Sequence, residues 1–310
     1  MKIMILGGHG FVGKNVLKIM KDSDSNIYAL SRRDGFDLTD FDSVKKYFSD
    51  HKPDCIINCA AKVGSLNYVS EQAAEIIDIN TRMILNLYKA LKEKIPECLL
   101  INPIANCAFP GHLEKFSEDL LWFGPLHQSV LSYGATKRIL LAADKCYQMQ
   151  YGLRSINFLV PNMYGPYDST DPNKAHALNA LVNKVVKAKR EGRESIDVWG
   201  SGVAIREWLY AEDFGRVIIE TLESGDYYLF SDPINIGQNN GLNIRSILDI
   251  IIKTVGYKGE INWDRSMPDG APIKVMDDIR FRKVFPGFEF TELRIGVKKT
   301  IEYYVSLTST

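Results

Sequence analysis

The sequence has no charge of either sign to spare. Its 38 lysines and arginines balance 38 aspartates and glutamates, so neither nucleic acid nor an anionic membrane surface is an expected partner. It also lacks an apolar run of the roughly 20 residues that a helical membrane span needs. Its five cysteines, Cys55, Cys59, Cys98, Cys107 and Cys146, are odd in number and scattered. That spacing excludes a disulfide framework and offers no zinc-ligand pattern, so no metal is expected. No leader segment precedes the first apolar strand, and with this cysteine usage the expected location is a reducing cytoplasm. Internal repeats and low-complexity segments are absent too. What is left is a chain of 310 residues, enough to bury a sizeable core in one large α/β domain, alone or with a smaller lobe.

Apolar strands alternate with helical patterns through the first half. Strands are expected at 2–6, 26–30, 55–59, 98–103 and 155–160, and helices from the end of the glycine run at 13 to 20 and at 41–49, 73–94 and 133–151. Such alternation predicts an α/β fold built on a doubly wound parallel sheet of the Rossmann kind. The rhythm then changes. Asp171-Pro-Asn173 and Pro268-Asp-Gly270 read as loops, with helices at 178–190 and 244–255 and short strands near 196–198 and 234–237. The expected division is a dinucleotide-binding domain over 1–165 with roughly 207–237, and a smaller discontinuous C-terminal lobe for substrate over 166–206 and 238–310.

Two motifs carry chemistry. Gly7-Gly-His-Gly10-Phe11-Val12-Gly13 follows the first strand at once and opens a helix. Glycines at such a turn let backbone approach a pyrophosphate, and the helix N-terminus supplies free N–H groups and a favourable dipole end. The alternative is a plain tight turn packed under a helix. The second motif is Tyr133-Gly-Ala-Thr-Lys137, whose Tyr and Lys share one helix face. A nearby ammonium favours the phenolate, so this tyrosine is expected to exchange a proton near neutral pH. Together the motifs point to a nicotinamide-dependent enzyme that moves a hydride at a carbinol or carbonyl carbon. The second strand ends in Ser31-Arg32-Arg33. An acidic residue there would bond the ribose of NAD, whereas two arginines suit the 2′-phosphate of NADP(H). NADPH is therefore favoured, with Asp34 and Asp37 keeping NAD open.

The spacing of Gly7, Gly10 and Gly13 is similar to that of the extended short-chain dehydrogenase/reductases. Longer stretches resemble the members that act on nucleotide sugars, above all the GDP-L-fucose synthase family, which epimerises and reduces GDP-4-keto-6-deoxymannose. They are Asn58-Cys-Ala-Ala-Lys-Val-Gly64, Asn106-Cys-Ala-Phe-Pro110, Pro161-Asn-Met-Tyr-Gly-Pro166, Trp199-Gly-Ser-Gly202, Arg206-Glu-Trp-Leu209 and Pro268-Asp-Gly-Ala-Pro272. The resemblance implies that Asp37 and Leu38 lie beside the adenine, that Ala60, Ala61 and Lys62 line the cofactor groove with Pro161 and Met163, and that Lys137 holds the ribose. It also implies that Cys107 and His176 move protons at C3 and C5 of a 4-keto sugar, whose carbonyl acidifies those carbons. Otherwise Cys107 is a small buried residue and His176 a helix-start residue. Asn106, Asn162, His176, Lys184, Trp199, Arg206, Asp269 and Lys274 fall on the substrate side, with Lys184 and Arg206 against the pyrophosphate. The family commonly pairs two long helices, here 73–94 and 133–151, into a four-helix homodimer interface.

Two departures stand out. Ile273 occupies a family basic position, which leaves the nucleotide open. Ala105 stands where the family has a serine or threonine that polarises the sugar carbonyl. Either Asn106 or a water replaces that hydroxyl, or the chain is chiefly an epimerase or a binder, or the alanine is an introduced Ser→Ala change. The expected function is NADPH-dependent C4 reduction of a 4-keto nucleotide sugar, GDP-linked by preference, with C3/C5 epimerisation, in deoxysugar or heptose biosynthesis. The alternatives are a 4-epimerase with bound NAD and an impaired binding protein. A 4,6-dehydratase is disfavoured because Asn106-Cys107 replaces that branch's Asp-Glu pair.

Overall fold

The computed structural model describes all residues except Asp22, Asp24, Pro268 and residues 308–310, and not the side chain of Tyr228. Pro268 of the last loop motif and the end of the expected C-terminal lobe therefore lie outside the described residues. Along the first half the chain runs β1 (Lys2–Leu6), α1 (Phe11–Met20), β2 (Asn26–Leu30), α2 (Phe41–His51), β3 (Cys55–Asn58), α3 (Leu66–Glu71), α4 (Ala73–Lys94) and β4 (Leu99–Ala105). Next come β5 (Lys115–Phe116), α5 (Leu131–Tyr151), β6 (Arg154–Val160), β7 (Asn162–Tyr164), α6 (Ala177–Arg190), β8 (Ser195–Trp199), β9 (Ile205–Arg206) and β10 (Trp208–Tyr210). The last third holds α7 (Ala211–Ser224), β11 (Ile234–Asn235), β12 (Leu242–Asn243), α8 (Ile244–Val255), β13 (Glu260–Asp264), β14 (Ile273–Met276), α9 (Ile279–Val284) and α10 (Leu293–Ser306).

Six strands form one parallel sheet in the order β11-β6-β4-β3-β1-β2. The apolar run of β1 is buried on both faces because successive side chains point to opposite sides. Met4 and Leu6 join one core layer with Val44 and Phe48 of α2, Leu87 of α4 and Leu140 of α5. Ile3 and Ile5 join the other with Val16 of α1, Phe214 of α7 and Phe281 of α9. Each such side chain contributes roughly 1.5–3 kcal/mol relative to exposure, so a charge at any position from Ile3 to Leu6 would break a layer. Chain order reverses at β1, which lies between β2 and β3, and a crevice for ligands opens beyond the strand ends at such a switch point.

The later elements build a smaller assembly. Strands β8 and β13 pair in parallel, and β12-β9-β14-β5 form a four-stranded sheet. Helices α6, α8 and α10 close over a third core of Leu178, Val182, Ile247, Ile251, Val297 and Ile301. Strand β5, from the first half of the chain, pairs with β14, so an early segment completes the later four-stranded sheet.

Candidate active site

The glycine turn sits at the switch point. Gly7 has φ 71°, and a Cβ there would lie 2.8 Å from the backbone nitrogen of Ala60, so only glycine fits. A Cβ at Gly13 would lie 2.7 Å from the Gly8 Cα, whereas one at Gly10 meets only the Gly7 carbonyl, at 3.1 Å. The turn is thus packed tightly beneath and open above. Gly10 precedes α1 in extended conformation without a side-chain cap, and no acidic residue occupies the first turn. The N–H groups of Phe11 and Val12 precede any intrahelical acceptor and are available to a phosphate. These features fit a dinucleotide pyrophosphate.

Ser31, Arg32 and Arg33 form a short turn after β2 that Asp34 caps. Its carboxylate accepts from the Ser31 N–H at 2.8 Å and hydroxyl at 3.0 Å, and lies 3.1 Å from His9 Nε2. Asp34 is thus engaged, while Arg32 and Arg33 are exposed. Asp37 is likewise occupied, accepting from the Thr39 N–H and hydroxyl at 2.8 Å each. Leu38 and Ala60 line a small cavity of about 10 Å³ with Asn58, Asn80 and Lys137. Asn80 fixes the Lys62 backbone through bonds of 2.9 Å to its N–H and from the amide to its carbonyl. Ala61 is half-buried between them, and Pro161 and Met163 are buried at the start of the segment that runs into β7.

The reactive pair lies on the first turns of α5. Lys137 is 8% exposed, its Nζ lies 5.2 Å from the Tyr133 ring centroid, and it donates to the Pro103 carbonyl at 3.3 Å. Gly134 between them has a packing role, since a Cβ there would overlap the Cys107 carbonyl oxygen. Helix α5 can therefore lie directly against the Asn106–Ala108 turn. Burial, with Cys107 adding to it, pushes the Tyr133 phenol well above its usual value. This direction is opposite to the one expected from the neighbouring ammonium, because desolvation of the phenol prevails. Tyr133 accordingly holds its proton at neutral pH, which suits a group that must donate one to a nascent alkoxide.

Burial also raises the Cys107 thiol, to about 11, against the opposing pull of Lys137 and Lys274. Cys107 is a thiol rather than a thiolate at neutral pH. Cys59, which sequence reasoning did not single out, also feels Lys137, and burial raises it to about 12. Ala105 ends β4 half-buried, and the next residue, Asn106, is 7% exposed with a side-chain Nδ2 that has no hydrogen-bond partner.

His176 stands on the cofactor-turn side. Its ring lies 5.0 Å from that of Phe11, and its Nδ1 is 3.2 Å from the Asp168 carboxylate. Among the described residues no hydrogen bond joins it to Cys107. Asn15 of α1 ties the region together, donating to the Phe11 carbonyl at 2.9 Å and the Pro166 carbonyl at 2.8 Å.

On the substrate side, Arg206 and Lys274 are register partners on β9 and β14. Burial lowers the Lys274 ammonium, and Arg206 lowers it further. Among the described residues no carboxylate pairs with Lys274. Two half-buried cations side by side, one of them coupled to Cys107, suit a bound anion. The fully buried Glu207 holds this corner, accepting from the Met276 N–H at 2.6 Å and from the Gln238 N–H. Other expected substrate residues are turned to local work. Lys184 donates to the Asp197 carbonyl at 2.7 Å, Asp269 accepts from the Ser201 N–H at 2.6 Å and hydroxyl at 2.7 Å, and Asn162 approaches the Glu207 carbonyl at 3.5 Å. Trp199 is 57% exposed at the end of β8, free to stack on a planar ligand.

The sheet, the glycine turn and the Tyr133–Lys137 pair all fall within residues 3–237, which match the NAD dependent epimerase/dehydratase family, and the chain belongs to that family. GDP-L-fucose synthase of Sinorhizobium fredii is 30% identical over 308 residues, 98% of this chain and 96% of that protein. GDP-L-colitose synthase of Yersinia pseudotuberculosis is 29% identical, covering 99% of this chain and 98% of its own. Among solved structures, the GDP-mannoheptose C4 reductase of Campylobacter jejuni, with NADP bound, has a TM-score of 0.84 at 25% identity, covering 98% of both chains.

Proposed function

We propose that this protein is an NADPH-dependent epimerase/reductase that reduces C4 of a GDP-linked 4-keto sugar, with epimerisation at C3 or C5. It would serve deoxysugar or heptose assembly for polysaccharides in the cytoplasm. The observation that carries this reading is the grouping of Tyr133, Lys137 and Lys274 around Cys107, with Arg206 paired beside Lys274. Relatives named for GDP-fucose, GDP-colitose and GDP-mannoheptose chemistry along nearly the whole chain support the substrate class.

The cofactor supplies a hydride to C4 when bound. The first-turn N–H groups of α1 hold its pyrophosphate, Arg32 and Arg33 its 2′-phosphate, and Lys137 its ribose. Tyr133 gives its proton to the C4 oxygen as the ketone becomes an alcohol. Arg206 and Lys274 neutralise the substrate diphosphate, and Trp199 stacks on the base. Cys107 and His176 exchange protons at the carbons flanking the ketone before reduction. The dinucleotide domain comprises residues 1–165 with roughly 207–237, and the substrate lobe 166–206 and 238–310. Helices α4 and α5 of two copies form a four-helix dimer interface.

The test is NADPH oxidation in the presence of GDP-4-keto-6-deoxymannose or a GDP-4-keto-heptose, with NADH and UDP-linked 4-keto sugars as comparisons. Oxidation confined to NADPH and the GDP sugars is expected, and turnover of neither GDP sugar would refute the reading. Ala105 favours a second reading, a protein that binds both ligands but reduces slowly. Tight binding without turnover, relieved by Ala105→Ser, would select it.

A further inference from the structure

Asp168 is absent from the sequence-derived site, yet it governs how His176 is presented. Four hydrogen-bonding contacts meet on its carboxylate, which is 6% exposed. Oδ2 accepts from the His176 backbone N–H and from Asn179 Nδ2, both at 2.8 Å, and both oxygens lie 3.2 Å from His176 Nδ1. The Asn179 orientation is itself fixed, because its Oδ1 accepts from the Gly165 N–H at 3.1 Å. Its NH₂ therefore faces Asp168, which acts as acceptor throughout. A carboxylate in that role requires Nδ1 to carry a hydrogen, so the imidazole adopts the Nδ1–H tautomer when neutral. The Phe11 ring restrains the other side of the imidazole, which is 33% exposed. With Nδ1 consumed, Nε2 is the nitrogen left to meet a ligand.

We propose that Asp168 is a positioning residue for His176, fixing Nε2 as the atom that exchanges a proton with the carbon beside the sugar ketone. The inference rests on the 4-keto-sugar reading above. In the step, a base on one face takes hydrogen from that carbon as a proton, the C–H pair forms the enolate C=C bond, and the carbonyl π pair moves to oxygen. An acid on the opposite face then returns a proton to the carbon as the carbonyl reforms, giving the inverted centre. His176 fills one of these roles through Nε2 and Cys107 the other, and the imidazolium form of His176 is stabilised across the 3.2 Å contact with Asp168. Both groups are reset by proton exchange with water. Hydrogen bonds from His176 and Asn179 overcome burial to hold the Asp168 carboxyl below its usual range, so it is charged in this role. The other ionisable groups facing it are the phenols of Tyr303 and Tyr304 on α10, both raised chiefly by burial.

Asp168→Asn keeps the shape but presents an NH₂ group, which no longer demands a hydrogen on Nδ1. Three readouts are compared with the wild type: solvent-deuterium incorporation at C3 and C5 of a GDP-4-keto sugar, NADPH oxidation by a 4-keto sugar already in the product configuration, and the ¹⁵N spectrum of the histidines. The expected result is incorporation slowed about 100-fold or more, with the reduction rate within about twofold of wild type. The neutral His176 tautomer should move from Nδ1–H to Nε2–H. Wild-type incorporation in the variant, or an Nε2–H tautomer in the wild-type protein, would overturn the proposal. The wild-type spectrum needs neither substrate nor a folded variant. A protein that reduces no 4-keto sugar but shows the Nδ1–H tautomer would refute the functional reading while leaving the Asp168–His176 geometry standing.

Discussion

Replacing Ala105 with serine should accelerate reduction. The site is prepared for a hydroxyl. Ala105 is half-buried at the end of β4, with φ −62° and ψ 141°, a conformation serine adopts without strain. Tyr133 holds its proton, so a second donor at residue 105 would share the charge that develops on the C4 oxygen. Losing one such donor typically costs about 10²–10³ in rate, or roughly 2.7–4 kcal/mol in barrier, and restoring it should return a comparable factor. Single-turnover NADPH oxidation at 340 nm with a GDP-4-keto sugar measures the chemical step, and NADPH titration by fluorescence checks that cofactor affinity is unchanged. If the unpartnered Nδ2 of Asn106 already serves the carbonyl, the gain shrinks to about tenfold and Asn106→Ala slows the parent protein. A serine variant no faster than the parent, with Asn106→Ala also silent, would refute the reasoning that carbonyl polarisation limits this site.

Tyr133→Phe should lower reduction by about 10²–10⁴ while leaving NADPH affinity within a few-fold, measured by the same two assays. Arg33→Ala should weaken NADPH about tenfold or more and leave NADH nearly unchanged, since only the 2′-phosphate loses a charge-assisted bond; equal losses for both would remove the arginines from cofactor selection. Burial lifts the Glu207 carboxyl to about 7 from its ordinary 4.5, although the Gln238 and Met276 N–H groups oppose it. The folded state then binds a proton between pH 4.5 and 7 that the unfolded chain does not. Stability should fall across that window by on the order of 3 kcal/mol and level off above it, and Glu207→Gln should flatten the change seen in urea melts. Gly134→Ala should destabilise the protein by about 1–3 kcal/mol and slow turnover, because the new methyl meets the Cys107 carbonyl.

Much of the sheet was legible because β1, β3 and β6 are short apolar runs closed by turns, and period-two burial on both faces leaves that mark. The bounds of β1, β2, α4 and α8 agree with the pattern residue for residue, while α1 begins inside the glycine run, at Phe11. Helices α7 and α10 were not singled out, because their apolar faces meet partners far along the chain and lack the regular alternation with strands. The site was legible where chemistry sits in consecutive residues, as in the glycine turn and the Tyr133–Lys137 pair. It was illegible where the fold brings residues together. Asp168 precedes His176 by eight positions in a loop, and Glu207 shows no sign in sequence of being fully buried. The Tyr133 phenol differs from its expectation for the same reason, since four-residue spacing reports the ammonium but not the desolvation.

Hydride delivery to C4 of a GDP-linked 4-keto sugar is tested most directly by label transfer. The protein would be incubated with NADPH deuterated at the nicotinamide C4 position and GDP-4-keto-6-deoxymannose or the heptose analogue, and the sugar product read by mass spectrometry and NMR. One deuterium at C4 of the GDP-sugar alcohol, with stoichiometric NADP⁺, is the predicted result. An unlabelled product, or label found only after the Ala105→Ser change, would contradict reduction as the activity of this chain.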